Sequence, residues 1–316
     1  MIQGIGMSGM VGKTACKSGQ IQITGLKNGN LYLSYDYGDT WNVLNSVTGE
    51  WSGLAMSADG MYMVGNNGQY IEMSCNYGVT WGRVYSSNTS ATPQIAMSAS
   101  GQYITSTYGT KIIRSTDFGA TWGTVATLAT NLRGMAMSAS GQYQYASQYM
   151  GDQFRSSDYG ATWTLVSSAN AYWYRTSCSF VGDQAVSAIY FSNAYGKTSS
   201  YAATWSITTG NPMNGVSMSG DGGYVIYCPY TSTKPTITKP SGSPAINLAL
   251  LPVSSYYKYD PCISYDGKHM TIPHSSTSSN GYLYVSHDYG QTWTAKMTDT
   301  NRSWGMVATN KFCQDI

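Results

Sequence analysis

Charge is scarce in this chain. Asp, Glu, Lys and Arg make up 10% of its 316 residues, against roughly 25% in ordinary soluble domains. The 17 basic and 15 acidic side chains leave a net charge of +2. No run of Lys or Arg occurs, so there is no electrostatic footprint for a nucleic-acid groove. No apolar run is long enough to cross a bilayer as a helix, and membrane insertion is not expected. The opening residues, MIQGIGMSGM, lack a basic segment ahead of an apolar stretch, so no signal peptide of the usual kind is read there. Six cysteines, at 16, 75, 178, 228, 262 and 313, show neither CxxC nor finger spacing, which argues against a structural zinc and against a dense disulfide scaffold. Buried free thiols and synthesis in a reducing compartment fit this pattern. His269, His274 and His287 have no metal-ligand spacing, and nothing resembles a GxGxxG or P-loop. No metal and no cofactor are expected.

What stands in place of charge is Gly, Ser, Thr, Asn and Tyr, with 35 Gly, 28 Tyr and 9 Trp. One octet organises much of it. It reads SYDYGDTW at 34–41, SCNYGVTW at 74–81, STDFGATW at 115–122, SSDYGATW at 156–163 and SHDYGQTW at 286–293. A worn copy at 198–205 keeps the closing Thr204 and Trp205. The closing tryptophans stand at 41, 81, 122, 163, 205 and 293, so the steps are 40, 41, 41, 42 and then 88 residues, the last being two steps of 44. One octet is therefore missing near residue 248. Asp36, Asp117, Asp158 and Asp288, with Asn76 in the variant copy, are expected to turn back onto backbone N–H groups two residues on. Gly38, Gly78, Gly119, Gly160 and Gly290 supply the positive φ of a tight turn. The tryptophan then returns to the core as a fastener. One carboxylate per turn is a poor multi-oxygen cage, so calcium is not expected.

Between the octets a second pattern recurs. Residues 12–19, GKTACKSG, align without a gap to GLAMSADG at 53–60, followed by QIAMSASG (94–101), GMAMSASG (134–141), GVSMSGDG (215–222) and CISYDG (262–267). Small and apolar residues alternate there, as suits a strand at the crowded centre of a radial array. Tyr-rich, period-two segments read as a second strand, a third runs into each octet, and a short fourth leads away. Four strands per unit of about 40–45 residues is the propeller-blade signature. The expected fold is all-β, a single seven-bladed β-propeller over residues 1–316. Residues 229–261 hold six of the nine prolines, so the outer half of blade six should be loop-like or edge-like. A further inner-strand copy at 304–310 implies that one terminus closes the ring by pairing with the other. Either terminal strand could be the innermost.

On these octets the chain resembles the Asp-box (BNR) repeat propellers, and with its MSASGQY-type segments looks most like the tandem-repeat propellers of large DNA viruses and some microbes. No Trp-Asp dipeptide of the WD40 kind occurs. The resemblance implies the sialidase-like propeller fold and leaves activity open, since Asp boxes serve hydrolases, lectins, receptors and assembly factors alike. It also makes virion-surface display an expectation, with a cytoplasmic location otherwise.

Function is sought in the loops that join one blade's outer strand to the next blade's inner strand, because these open on one face. They carry Trp51, Arg133, Tyr172, Trp173, Tyr174, Arg175, Tyr256, Tyr257, Tyr259, Arg302 and Trp304. Aromatic faces beside hydrogen-bonding groups suit a sugar ring, and the arginines suit a carboxylate. The bland reading is that these aromatics pack blade against blade. The expectation is a non-catalytic module that binds glycan through this face. One alternative is a structural or assembly protein that docks another protein, through this face or the proline-rich blade six. Another is a glycosidase using Glu50, which faces the need for two opposed carboxylates when only two glutamates exist. The sialidases of the resembled fold add an arginine triad, a Tyr/Glu pair and often an Arg-Ile-Pro signature, and this chain has no Arg-Ile-Pro.

Overall fold

The computed structural model describes residues 17–87, 93–190, 194–202, 204–209, 213–229, 235–239, 246–247, 260–274 and 281–313. Within them nearly all regular structure is antiparallel strand, and a single short 3-10 turn, Ser200–Ala202, is the only helical segment. The strands form radially arranged sheets in chain order, which is a β-propeller. The inner strands are packed between the preceding sheet and the next. Ile23, Leu31 and Leu33 thus share a core with Trp51, Leu54 and Met63 of the following sheet. The fourth strands are outermost and mostly exposed, as in Asn42–Gly49.

Seven four-stranded blades are expected from the repeats. Five four-stranded sheets and one six-stranded sheet are found. The six-stranded sheet arises because Thr164–Cys178 does not break where an outer strand should hand over to an inner one. It opens paired to Gln144–Ser156 (Arg155 opposite Thr164) and closes paired to Ala185–Ile189 (Cys178 opposite Ala185). Neither Gly nor Pro occurs within it, so nothing in the chain punctuates the passage.

Ring closure is made by the C-terminal strand. Trp304–Thr309 pairs with Gln22–Leu26, which continues into Gly29–Ser34 and Asn42–Gly49. Of the two terminal candidates, the C-terminal copy is thus innermost in the first blade; residues 12–16 lie outside the described part. In the proline-rich region Thr236–Thr238 and Ile246–Asn247 form short strands beside Val225–Pro229. The missing octet near 248 falls among residues not described.

A cavity of about 170 Å³ lies on the propeller axis. It is lined from every sheet by an inner strand, and twice from the six-stranded one, by Leu132–Met137 and by the end of Thr164–Cys178. At one end a chain of hydrogen bonds passes from one inner turn to the next. The amide of Ala58 donates to Ala99 O (2.8 Å), Ala99 to Ala139 O (2.8 Å), Ala139 to Phe180 O (2.8 Å), Phe180 to Gly220 O (2.6 Å) and Asp221 to Tyr265 O (2.9 Å). The Tyr265 amide donates to Ser18 Oγ, and Asn310 Nδ2 donates to Lys17 O (3.0 Å) and Ala58 O (3.2 Å), which completes the circuit.

Candidate binding face at the junction of the long strand

The octets are built as turns, with a bonding pattern that differs in detail from the expected one. In the copy at 156–163 the Ser156 hydroxyl donates to Asp158 Oδ1 (2.8 Å) and accepts from the Gly160 amide (2.8 Å). Asp158 reaches four residues on rather than two, accepting from the Thr162 amide (2.9 Å) and the Thr162 hydroxyl (2.6 Å). The copies at Asp36, Asp117 and Asp288 repeat this, and Asn76 keeps it by accepting from the Thr80 amide and donating to its hydroxyl. The glycines take positive φ as expected, but so do the aromatics before them, Tyr37, Tyr77, Phe118, Tyr159 and Tyr289. Two successive left-handed residues are uncommon outside glycine. The displaced rings pack at a tilt against the neighbouring blade, as Tyr159 on Tyr103 at 4.7 Å and Phe118 on Tyr62 at 5.1 Å. The box tryptophans are half-buried, and each indole N–H donates to its own box's glycine carbonyl. In the worn copy no glycine remains, and the buried Trp205 Nε1 has no partner among the described residues.

Of the loop aromatics, the three tryptophans are core. Trp51, Trp173 and Trp304 are 3%, 0% and 0% exposed. Their indoles donate to Gly29 O (3.0 Å), Gly151 O (3.1 Å) and Gly281 O (2.9 Å), a second kind of fastener repeated in three blades. Trp51 packs edge-on against Trp81, and Trp173 likewise against Trp205. Gly196 leaves room for the latter pair, since a Cβ there would lie 2.5 Å from the Trp173 ring. Trp51 and Trp304 open their strands and Trp173 lies within Thr164–Cys178, and in each case a large flat side chain is packed into the core. The expected exposed tryptophan platform is therefore absent at these positions.

The other residues of the set do converge where the long strand bridges its two half-sheets. Tyr172 is 38% exposed and meets Tyr149 edge-to-face at 5.4 Å, its direct partner across the strand pair. Tyr174 stacks on Tyr190 at 5.2 Å. The guanidinium of Arg133 stands 5.7 Å from the Tyr149 ring centre, and that of Arg175 4.7 Å from Tyr174. Met150, 53% exposed, adjoins them. Arg133, Tyr172, Tyr174 and Arg175 are thus brought together with two rings the loop argument missed, Tyr149 and Tyr190. Both lie beyond the loops, Tyr149 inside the strand Gln144–Ser156. The insertion QYMGD, with bulges on either side of Gly151, is the one sequence signal that could have found Tyr149.

Two of the three arginines are already occupied by the chain's own carboxylates. Arg175 Nε pairs with Asp260 Oδ1 at 2.7 Å, and both groups are largely buried. Burial pushes the Asp260 carboxyl up while Arg175 pulls it back down. Arg302 holds Asp299 through both oxygens (2.7 and 2.8 Å), and these bonds bring the Asp299 carboxyl down to about 2. Arg133 makes no ion pair among the described residues. Tyr256, Tyr257 and Tyr259 lie outside the described residues. Glu50 is exposed on the link into Trp51–Met56, and Glu72 is buried beside Arg83 at 3.5 Å.

Comparison with known proteins agrees with this architecture. The family model described as BNR/Asp-box repeat matches residues 284–295. No curated protein matches the chain. Among solved structures, a protein from Lactobacillus plantarum superposes with a TM-score of 0.68 at 11% identity, covering 92% of this chain and 99% of that one. A putative 6-phosphogluconolactonase from Bacteroides uniformis gives 0.64 at 13%, covering 92% and 98%. A structure described as YCF48 bound to D1 peptide gives 0.60 at 14%, covering 79% and 84%. At such identities the likeness is one of fold.

Proposed function

We propose that this chain, a β-propeller that carries BNR/Asp-box repeats, is a non-catalytic binding module whose ligand is a glycan held at the tyrosine cluster of the long strand. The observation that carries this reading is the convergence of Tyr149, Tyr172, Tyr174 and Tyr190 with Arg133 on one partly exposed patch, in which Tyr172 is exposed and the others are half-buried. Phenol rings offer apolar faces for sugar C–H groups and hydroxyl tips for sugar oxygens, and Arg133 adds donors for a hydroxyl or carboxylate. Catalysis of glycoside cleavage asks for two facing carboxylates. Asp39, Glu72, Asp260 and Asp299 are instead engaged by Lys296, Arg83, Arg175 and Arg302.

The reading also takes the propeller as seven-bladed. On this view the six-stranded sheet is two blades sharing Thr164–Cys178, an outer strand in one and an inner strand in the next. The double contribution of that sheet to the axial cavity and the turn-to-turn hydrogen-bond circuit support it.

The test is a glycan-array screen of the full chain beside Tyr172→Ala, Tyr174→Ala and Arg133→Ala. Selective binding weakened tenfold or more in these variants, with circular dichroism unchanged, is the expected result. An array blank for the folded wild-type chain overturns the glycan reading. The second reading, a peptide or protein partner on the same patch, is favoured by the exposed Met150 beside the tyrosines; of the fold's relatives, YCF48 is described as bound to a peptide.

A further inference from the structure

The seam where the last blade meets the first holds a cluster that sequence spacing does not announce. His269 precedes the strand Met270–Pro273, and His287 stands in the octet at 286–293, 18 residues away. Their Nδ1 atoms face each other at 3.0 Å. Across the seam the first blade's octet supplies Tyr37, whose ring stacks on His269 at 4.0 Å, and Asp39, whose Oδ1 lies 3.3 Å from His287 Nε2. Asp39 is held in turn by Lys296 at 2.8 Å.

We infer that His269 and His287 form a two-histidine site for a divalent transition metal of the Zn(II) class, locking the last blade to the first. Two imidazole nitrogens, each about 2.0–2.1 Å from zinc, stand roughly 3.3 Å apart at a tetrahedral angle. The observed separation is within a few tenths of an ångström of that. Both rings are oriented in advance: His269 by the Tyr37 stack, His287 by Asp39 on its far nitrogen. A carboxylate behind a ligating histidine fixes its tautomer and raises its basicity, the usual outer arrangement of protein zinc sites. Asp39 is such an outer partner and not a ligand. Among the described residues no three His, Cys, Asp or Glu side chains converge as ligands, so water completes the coordination. Binding requires the proton shared between the two Nδ1 atoms to move to the far nitrogen, Nε2, of its ring, so that both imidazoles ligate as neutral rings.

The site is independent of the tyrosine patch, and its test does not use glycan. Zn(II) is titrated calorimetrically into the chelator-stripped full chain, and thermal unfolding is followed with and without the metal. One site per chain and a higher Tm with Zn(II) are expected. Both effects should be lost in His269→Gln and His287→Gln, and affinity should weaken roughly 10- to 100-fold in Asp39→Asn. In case a variant fails to fold, wild-type chain is treated with diethyl pyrocarbonate; Zn(II) should protect His269 and His287 and leave His274 unaffected. Absence of binding by the folded wild type overturns the inference. So does binding that persists unchanged in both histidine variants, which would place the metal on thiols, or failure of Zn(II) to protect the two rings.

Discussion

Trp173 and Tyr172 are neighbours in the chain with opposite fates. Trp173 is fully buried with its indole bonded to Gly151 O, and Tyr172 keeps 38% of its surface in solvent. Trp173→Ala should cost about 3–5 kcal/mol, the usual price of an aromatic removed from a core. Tyr172→Ala should change stability by no more than about 0.5 kcal/mol, as at most surface sites. Urea unfolding of the two variants checks both, and an equal loss in each would mean that the ring is packed after all. Ser156 makes the same point with one hydroxyl. It is 1% exposed and is the acceptor for the Gly160 amide. Ser156→Ala leaves that amide unpaired and should cost about 1–3 kcal/mol, read from the same unfolding curves.

The octet turn depends on two local features that can be separated. Gly160 sits at φ +81°, and a Cβ there would lie 2.8 Å from Gln144 Oε1. An alanine forced into left-handed backbone costs about 1–2 kcal/mol. Gly123, in the strand after a box, has ordinary φ and open space around its missing Cβ. Gly123→Ala should therefore be neutral or stabilising by up to about 1 kcal/mol through the unfolded chain. A thermal-shift comparison of the two alanine variants tests this pair. The carboxylates add a pH dependence. In Asp36, Asp158 and Asp288 burial pushes the carboxyl up, but the bonds from the Thr side chain and amide and from the Ser hydroxyl together bring it below its ordinary value. In Asp117 the Thr121 hydroxyl bond leads the same downward shift. A carboxyl lowered in the folded state stabilises above its unfolded value, about 3.9, and loses that contribution as pH falls through the folded one. Stability should thus decline below about pH 4. The double variant Asp158→Asn, Asp288→Asn should show a shallower decline between about pH 4 and 2. An unchanged acid profile in tryptophan fluorescence would remove the boxes from the account.

Closure of the ring is the feature on which the whole molecule depends. Trp304–Thr309 fills the innermost place of a sheet whose other strands come from the opposite end of the chain. Asn310, fully buried, accepts from the Ile21 amide (3.0 Å) and donates to Lys17 O and Ala58 O. A chain ending before Trp304 would expose Gln22–Leu26 as an open edge and uncover the core that Trp304 and Met306 complete. It should aggregate or lose its cooperative transition, which size-exclusion chromatography and thermal unfolding would show. A folded, monomeric truncated chain would mean that residues before 17 can take the same place.

Blades, turns and their order were legible in the chain because each depends on residues close together: a Gly two places after an Asp, a tryptophan at the end of each octet, an alternation of small and apolar side chains. The all-β propeller and the left-handed glycines follow from those local rules. Burial does not, since it depends on what a neighbouring blade presents some 40 residues away. Trp51, Trp173 and Trp304 read as a surface because they lie in loops by sequence, yet the wedge between blades takes them in. Arg175 reads as a free donor until folding brings Asp260, 85 residues on, to it, whereas the Arg302–Asp299 pair, three residues apart, is local. The Tyr149–Tyr172 contact comes from pairing across bulges, and the His269–His287 contact from a hairpin set against the seam. Short-range chemistry in the sequence specified the repeating unit, and the tertiary structure, by pairing strands across bulges and packing one blade against the next, decided which aromatic and imidazole groups meet.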